Sequence, residues 1–307
     1  MKIIITGATG FIGQALCNSL SHDHQVIALT RNPDQTENLL NNNIQIIKWN
    51  PEKLDGWEKH IENADAIVNL AGTNIASGIW SKNFKARIIN SRVDSYKILK
   101  QAIVQSHAKP KAIILASAIG YYGNRNDEKL NEQSPPGQGF LADVAGKIEN
   151  FASEFESLGL RVITIRTGIT LALSGGALPK MLFPFKFYLG GQWASGKQWM
   201  AWISLNDEIS AIRFLIENTE YNGVYNLTSP QPVKNQQFCQ TIASVLKKPC
   251  WLPLPAFILK ILFGQKANEL FLASQQVYPE KLLAAGFNFQ NPDLKQTLIS
   301  ENPSSSG

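Results

Sequence analysis

Cysteine is scarce. Cys17, Cys239 and Cys250 are the three in 307 residues, an odd number with no C-x-x-C pair. That excludes a disulfide framework and a thiolate zinc site. Histidine is nearly as rare: His22, His24, His60 and His107 fall at expected helix ends or loops without ligand spacing, so no metal is expected. No apolar run approaches the roughly 20 residues that a membrane span requires. The first residues read as a strand rather than a leader, so a cytoplasmic protein with no membrane partner is expected. Charge of one sign is nowhere concentrated. The 29 Lys and Arg against 24 Asp and Glu give a net +5, scattered without a basic track, so no nucleic-acid partner is expected. Internal repeats are absent as well.

What remains is the make-up of an ordinary folded protein, 44% hydrophobic and 17% charged, long enough for a large core with a smaller satellite. Apolar, β-branched runs at Ile3–Thr6, Val26–Thr30, Ile44–Trp49, Ala66–Asn69, Ala112–Ala116 and Val162–Arg166 read as strands. Helical patterns fall near Ile12–Ser19, Trp57–Ile61, Phe84–Ser106 and Leu141–Leu158. Strands that are apolar throughout, separated by helices, predict an α/β fold: a doubly wound parallel Rossmann sheet covered on both faces. After Arg166 the sequence turns rich in Gly, Phe and Trp, then into short helices broken by Pro249, Pro253, Pro255, Pro279 and Pro292. The expected division is a dinucleotide-binding domain over 1–167, a smaller, mostly helical substrate lobe over 168–300, and a disordered tail over 301–307. Segment 203–228, with a strand at Val224–Leu227, is expected to return to the sheet.

The most informative stretch is Ile3-Ile4-Ile5-Thr6-Gly7-Ala8-Thr9-Gly10-Phe11-Ile12-Gly13. A buried strand, a glycine loop of G-x-x-G-x-x-G spacing and a helix start follow one another directly. Gly7 lets the chain turn, Gly10 lets the backbone approach a pyrophosphate, and Gly13 lets the helix pack on the strand. The helix start around Thr9, Phe11 and Ile12 then presents unpaired N–H donors and partial positive charge to the phosphates. The second strand ends Thr30-Arg31-Asn32, with no carboxylate until Asp34. A carboxylate there suits the ribose hydroxyls of NAD. Arg31 instead can clasp a 2′-phosphate and Thr30 can add a hydroxyl, so NADP is expected in preference to NAD. The fourth strand ends in Asn69-Leu70-Ala71-Gly72, small residues over which the cofactor backbone would pass.

With Ser117-Ala118-Ile119-Gly120-Tyr121-Tyr122-Gly123, these motifs resemble the extended short-chain dehydrogenase/reductases. Further stretches resemble the nucleoside-diphosphate-sugar epimerase-like subfamily of the NAD(P)-dependent epimerase/dehydratases, also described as cell-division inhibitors. They are Asn90-Ser91-Arg92, Arg166-Thr167-Gly168-Ile169, the run from Gly190-Gly191 through Gly196 to Ile203, and Tyr278-Pro279-Glu280-Lys281 through Phe287 in that subfamily's typical C-terminal domain. The resemblance covers nearly the whole chain.

It implies a serine that orients a substrate oxygen, and a tyrosine and lysine four apart on one helix that exchange a proton while hydride moves. Ser117 fits the serine and Lys147 the lysine, with Lys147 and Arg166 expected at the cofactor. Asp143 stands where the tyrosine should be, a position at which the subfamily commonly lacks it. Asp143 can act as a base, although a surface ion pair with Lys147 is the simpler expectation. Tyr121 and Tyr122 are candidate replacement phenols. Tyr96 and Lys100 form a literal Y-x-x-x-K, but they precede Ser117 on a crossover helix and read as a decoy. Candidate substrate walls include Trp80, Trp199 and Trp202, with Arg87 and Arg92 available for an anion. Ser204 and Asn206 replace titratable residues usual in the subfamily. The resemblance implies an NADP-binding oxidoreductase or epimerase acting on a small hydroxy or carbonyl substrate, a nucleotide sugar among the candidates. The alternative is a catalytically impaired NADP-binding sensor or regulator linked to cell division. The expected partner is a small-molecule substrate, with a homodimer allowed.

Overall fold

The computed structural model describes residues 1–301. Seven strands share one sheet: β1 (Lys2–Thr6), β2 (Gln25–Thr30), β3 (Gln45–Lys48), β4 (Ala66–Asn69), β5 (Ala112–Ala118), β6 (Arg161–Thr167) and β7 (Gly223–Leu227). Their order across the sheet is β7-β6-β5-β4-β1-β2-β3. Ile3, Ile4 and Ile5 are fully buried, and Ile4 sits between Ile27 of β2 and Ile67 of β4 in parallel register. Branched side chains with no exposed face select the interior of a parallel sheet, where helices cover both sides. Chain order reverses at β1, so its carboxyl end is the switch point at which such sheets bind ligands. This is the Rossmann-type fold expected, with the returning strand in place as β7.

Helix α1 (Phe11–Leu20) starts at Gly10 with no side-chain cap and no acidic residue in its first turn. Helix α2 (Lys82–Gln105) is instead capped by Ser81, whose Oγ accepts the Phe84 N–H at 3.2 Å. The helix expected over Leu141–Leu158 is two, α3 (Phe140–Glu149) and Phe151–Glu156, parted at Asn150, whose backbone stays right-handed helical. Helix α4 (Leu205–Glu217) leads into β7.

The chain forms two compact units. The first contains Met1–Ser117, Val144–Ile165 and Ile212–Val224; the second contains Ala118–Asp143, Arg166–Ala211 and the chain from Tyr225 on. This differs from a boundary at 167. Residues 118–143 leave the end of β5 and join the second unit, where Lys129–Leu130 pair in parallel with Gln276–Val277. Tyr122 and Leu130 are buried there with Ala201 and Val277. The rest of that unit's core includes Leu178, Leu182, Phe185, Trp202, Phe238 and Ile242. Its last helix is Leu294–Glu301, and the Glu301 carboxylate accepts the Leu173 N–H at 2.7 Å, so residue 301 is helical rather than tail. The remainder of the expected tail, 302–307, lies outside the described residues. Among the described residues no helix is long and apolar enough to cross a membrane.

Candidate functional site

The glycine loop closes on the carboxyl end of β1. Gly7 has φ +67°, and a Cβ there would lie 2.6 Å from the Leu70 carbonyl. A Cβ on Gly13 would lie 2.2 Å from the Gly7 oxygen, so α1 packs against the loop only because position 13 has no side chain. Gly10 donates its own N–H to the Gly7 carbonyl at 2.9 Å, and Gln14 N–H returns to the Gly10 carbonyl at 2.9 Å. Between them, the N–H groups of Phe11, Ile12 and Gly13 find no acceptor among the described residues. Aligned donors at an uncapped helix start form an anion site.

Asn69, 1% exposed, holds the facing strand end. It accepts from Thr6 Oγ1 at 2.5 Å, donates to Ser95 Oγ at 2.9 Å, and takes the Ala71 N–H at 3.3 Å. Leu70, Ala71 and Gly72, together with Gly7, Thr9 and Gly10, line a groove of about 720 Å³ that lies wholly in the first unit. Arg31 lines it too, exposed and without an ion-pair partner among the described residues. Arg87, expected on the substrate side, also belongs to this groove, its guanidinium 5.0 Å from the Phe84 ring centre. Thr30 lines the groove but is 6% exposed. Its Oγ1 lies 3.1 Å from Thr36 Oγ1 and accepts the Asn32 N–H at 3.3 Å, so it shapes the strand end rather than offering a free hydroxyl. Arg92 is likewise committed. It donates to the Thr73 and Ile88 carbonyls at 3.1 and 3.0 Å and fills the space a Gly72 side chain would need.

Ser117, near the end of β5, is 8% exposed and donates its hydroxyl to Glu149 Oε1 at 2.7 Å. Glu149 ends α3, two residues past Lys147, and no motif singled it out. Asp143 and Lys147 are exposed on the same helix. Tyr96 is 1% exposed, stacked on Phe151 at 5.4 Å, and its hydroxyl takes the Ala116 N–H at 2.9 Å. Burial pushes that phenol upward, so the literal Y-x-x-x-K is core.

Tyr122 and Arg166 do not take the roles expected of them. Tyr122 is fully buried, its oxygen accepting from Arg166 Nη1 at 2.8 Å and lying 2.7 Å from Asn226 Oδ1. Burial pushes it up to about 12, which leaves no phenol free to exchange a proton. Arg166 is 3% exposed and also donates to the Glu132 carbonyl at 3.3 Å, so it is spent on internal contacts rather than on a cofactor. Tyr121 stays available. It is half-buried under the Arg166 guanidinium at 3.5 Å, its hydroxyl without an acceptor among the described residues. Trp202 is fully buried and Trp80 is 9% exposed, both bonded through Nε1 to backbone carbonyls, so neither is a pocket wall. Trp199 is half-buried, with Nε1 on Asp127 Oδ1 at 2.7 Å.

Residues 3–142 match the model of the NAD dependent epimerase/dehydratase family, and residues 254–300 match a domain of unknown function, DUF1731. The epimerase family protein YfhF of Bacillus subtilis (strain 168) is 36% identical over 300 residues, 97% of each chain. The chain belongs to the NAD-dependent epimerase/dehydratase family. The epimerase family protein ML0860 of Mycobacterium leprae is also 36% identical, over 96% of this chain and 94% of the relative. Among solved structures, the human epimerase family protein SDR39U1 with NADPH superposes with a TM-score of 0.86 at 29% identity, over 99% of both chains. A nucleoside-diphosphate sugar epimerase from Corynebacterium glutamicum gives 0.78 at 29% identity, over 98% of this chain and 58% of that one.

In this epimerase-family chain the segment Ser204-Leu205-Asn206-Asp207 is a helix start. Ser204 Oγ accepts the Asp207 N–H at 3.0 Å and donates to Asp207 Oδ2 at 2.9 Å. The Asp207 carboxylate also receives the Gln290 and Asn291 N–H groups at 2.7 and 2.9 Å. The S-x-x-D spacing before an apolar run is a capping signature. Its neighbour Glu208 is fully buried, receiving Thr167 Oγ1 at 3.0 Å and Thr170 Oγ1 at 2.5 Å, and burial pushes it up to about 7.

Proposed function

We propose that this epimerase-family chain is an NADP(H)-dependent oxidoreductase or epimerase acting on a small hydroxy or carbonyl compound, a nucleotide sugar among the candidates. The observation that carries the reading is Arg31, an exposed and unpaired guanidinium on the groove that the glycine loop opens. Its planar donor fork suits two-point contact with a 2′-phosphate, and no carboxylate at that strand end favours free ribose hydroxyls. The open N–H groups of Phe11, Ile12 and Gly13 would take the diphosphate, and the small Leu70-Ala71-Gly72 turn leaves room for the backbone of the cofactor. The human relative solved with NADPH supports the same choice.

When bound, the nicotinamide donates or accepts hydride. The chain's own part is to hold a substrate oxygen and move its proton. Because Ser117 gives its hydroxyl hydrogen to Glu149, its lone pairs are left to accept a proton from a substrate hydroxyl, and Glu149 receives the serine proton in turn. That relay replaces the tyrosine for which Asp143 stands. The same reading makes the protein cytoplasmic, with a small molecule as its partner.

The test is a screen of carbonyl compounds with NADPH, followed by loss of nicotinamide fluorescence, and of nucleotide sugars with NADP+, followed by chromatographic separation of the epimers, because epimerisation consumes no net cofactor. Ser117→Ala and Glu149→Gln are expected to lower turnover at least tenfold while leaving NADPH affinity within about twofold. Turnover at wild-type rates in both variants overturns the relay. A second reading, a cofactor-binding sensor, is favoured by the exposed carboxylate at position 143. It predicts tight NADPH binding with no turnover across the whole panel.

A further inference from the structure

The second unit exposes aromatic and apolar side chains on two stretches far from the groove residues in sequence. On the helix Ala256–Phe263, Phe257, Ile261 and Leu262 are 63%, 77% and 63% exposed. Trp251, Phe187 and Tyr188 are 64%, 59% and 55% exposed. Trp251 joins the 187–190 stretch to the segment that leads into this helix: its N–H donates to the Gly190 carbonyl at 3.1 Å and its Nε1 to the Tyr188 carbonyl at 2.9 Å. Large exposed apolar patches on a folded unit mark a docking site.

Charge decides what docks. The stretches 178–191 and 247–266 contain no Asp or Glu, but hold Lys180, Lys186, Lys247, Lys248 and Lys260 at positions that are exposed or half-exposed. Lys248 lies 3.8 Å over the Tyr188 ring, so the cationic rim reaches the aromatic face itself. A second copy offering the same face would set lysine against lysine, which opposes a two-fold dimer here. Exposed aromatic and aliphatic side chains on lysine-bearing stretches with no acidic residue match the interface of an anionic bilayer: rings at headgroup depth, chains among the acyl chains, ammonium groups on the phosphates.

We propose that this face docks the protein peripherally on anionic phospholipid membranes. The lack of a spanning segment, which led to the expectation of no membrane partner, does not bear on such surface docking. The experiment is sedimentation of the full chain with phosphatidylcholine vesicles, with and without phosphatidylglycerol. Binding is expected only to the anionic vesicles and to fall with added salt. Lys186→Gln and Lys260→Gln are each expected to weaken it about fivefold. Phe257→Asp with Ile261→Asp is expected to weaken it at least tenfold, with NADPH affinity unchanged as the folding control. No binding to anionic vesicles, equal binding to neutral ones, or undiminished binding by the double aspartate variant overturns the proposal. So does a wild-type dimer that the double variant converts to monomer while neither binds vesicles.

Discussion

Glu208 offers a sharp test of the packing in the second unit. The carboxyl group is fully buried, and its hydrogen-bond donors are two threonine hydroxyls, Thr167 Oγ1 at 3.0 Å and Thr170 Oγ1 at 2.5 Å. Loss of hydration outweighs both hydroxyls and moves it from 4.5 up to about 7. The folded state therefore holds a proton that the unfolded chain has already released. Below about pH 4.5 both states are protonated and the contribution is complete; as pH rises through about 7 it is lost. At ~1.4 kcal/mol per pH unit, that separation comes to about 3 kcal/mol. Glu208→Gln removes the titration while keeping an acceptor and a donor for the two threonines. Urea unfolding of both proteins should show the variant gaining on the wild type by about 3 kcal/mol between about pH 4.5 and pH 7.5. Comparing the two proteins cancels the other carboxylates. Parallel stability profiles, or a variant that loses ground as pH rises, would refute the reasoning.

Four other substitutions separate roles within the fold. Gly13→Ala, with its Cβ 2.2 Å from the Gly7 oxygen, should cost about 1–3 kcal/mol in thermal unfolding and weaken NADPH binding more than tenfold. Gly146→Ala meets nothing within 4 Å on α3 and should stabilise by up to about 1 kcal/mol. Asp207→Ala removes the acceptor for Ser204, Gln290 and Asn291 and should cost about 3 kcal/mol in urea unfolding. Tyr122→Phe leaves Asn226 and Arg166 short of a partner and should cost about 1–3 kcal/mol, yet retain turnover, because the phenol is structural.

The parts legible in sequence are those governed by local rules. Ile3-Ile4-Ile5 running into Gly7, Gly10 and Gly13 specifies strand, turn and helix within a dozen residues, and each glycine meets the contact that forbids a side chain or the backbone that needs it open. Arg31 was legible because the residue after that strand faces the groove whatever the rest of the chain does. The illegible parts depend on long-range packing. Nothing in residues 118–143 announces that they pair with Gln276–Val277, and that pairing is what buries Tyr122. Arg166 looked free for a cofactor because its acceptors lie on other segments. Glu149 carries no motif of its own: a tyrosine–lysine spacing points to positions 143 and 147, whereas the Ser117 hydroxyl meets the helix two residues further on.

The measurement that bears most directly on the account is the affinity of NADPH and NADH for the wild-type chain and for Arg31→Ala, by calorimetric titration at fixed low salt. A charge-assisted two-point contact is worth about 1.5–3 kcal/mol, so the wild type should prefer NADPH by about ten- to a hundredfold. The variant should lose most of that preference while binding NADH about as well as before. Equal affinities in the wild type, or a preference that survives Arg31→Ala, would contradict the assignment of Arg31 and the cofactor choice built on it.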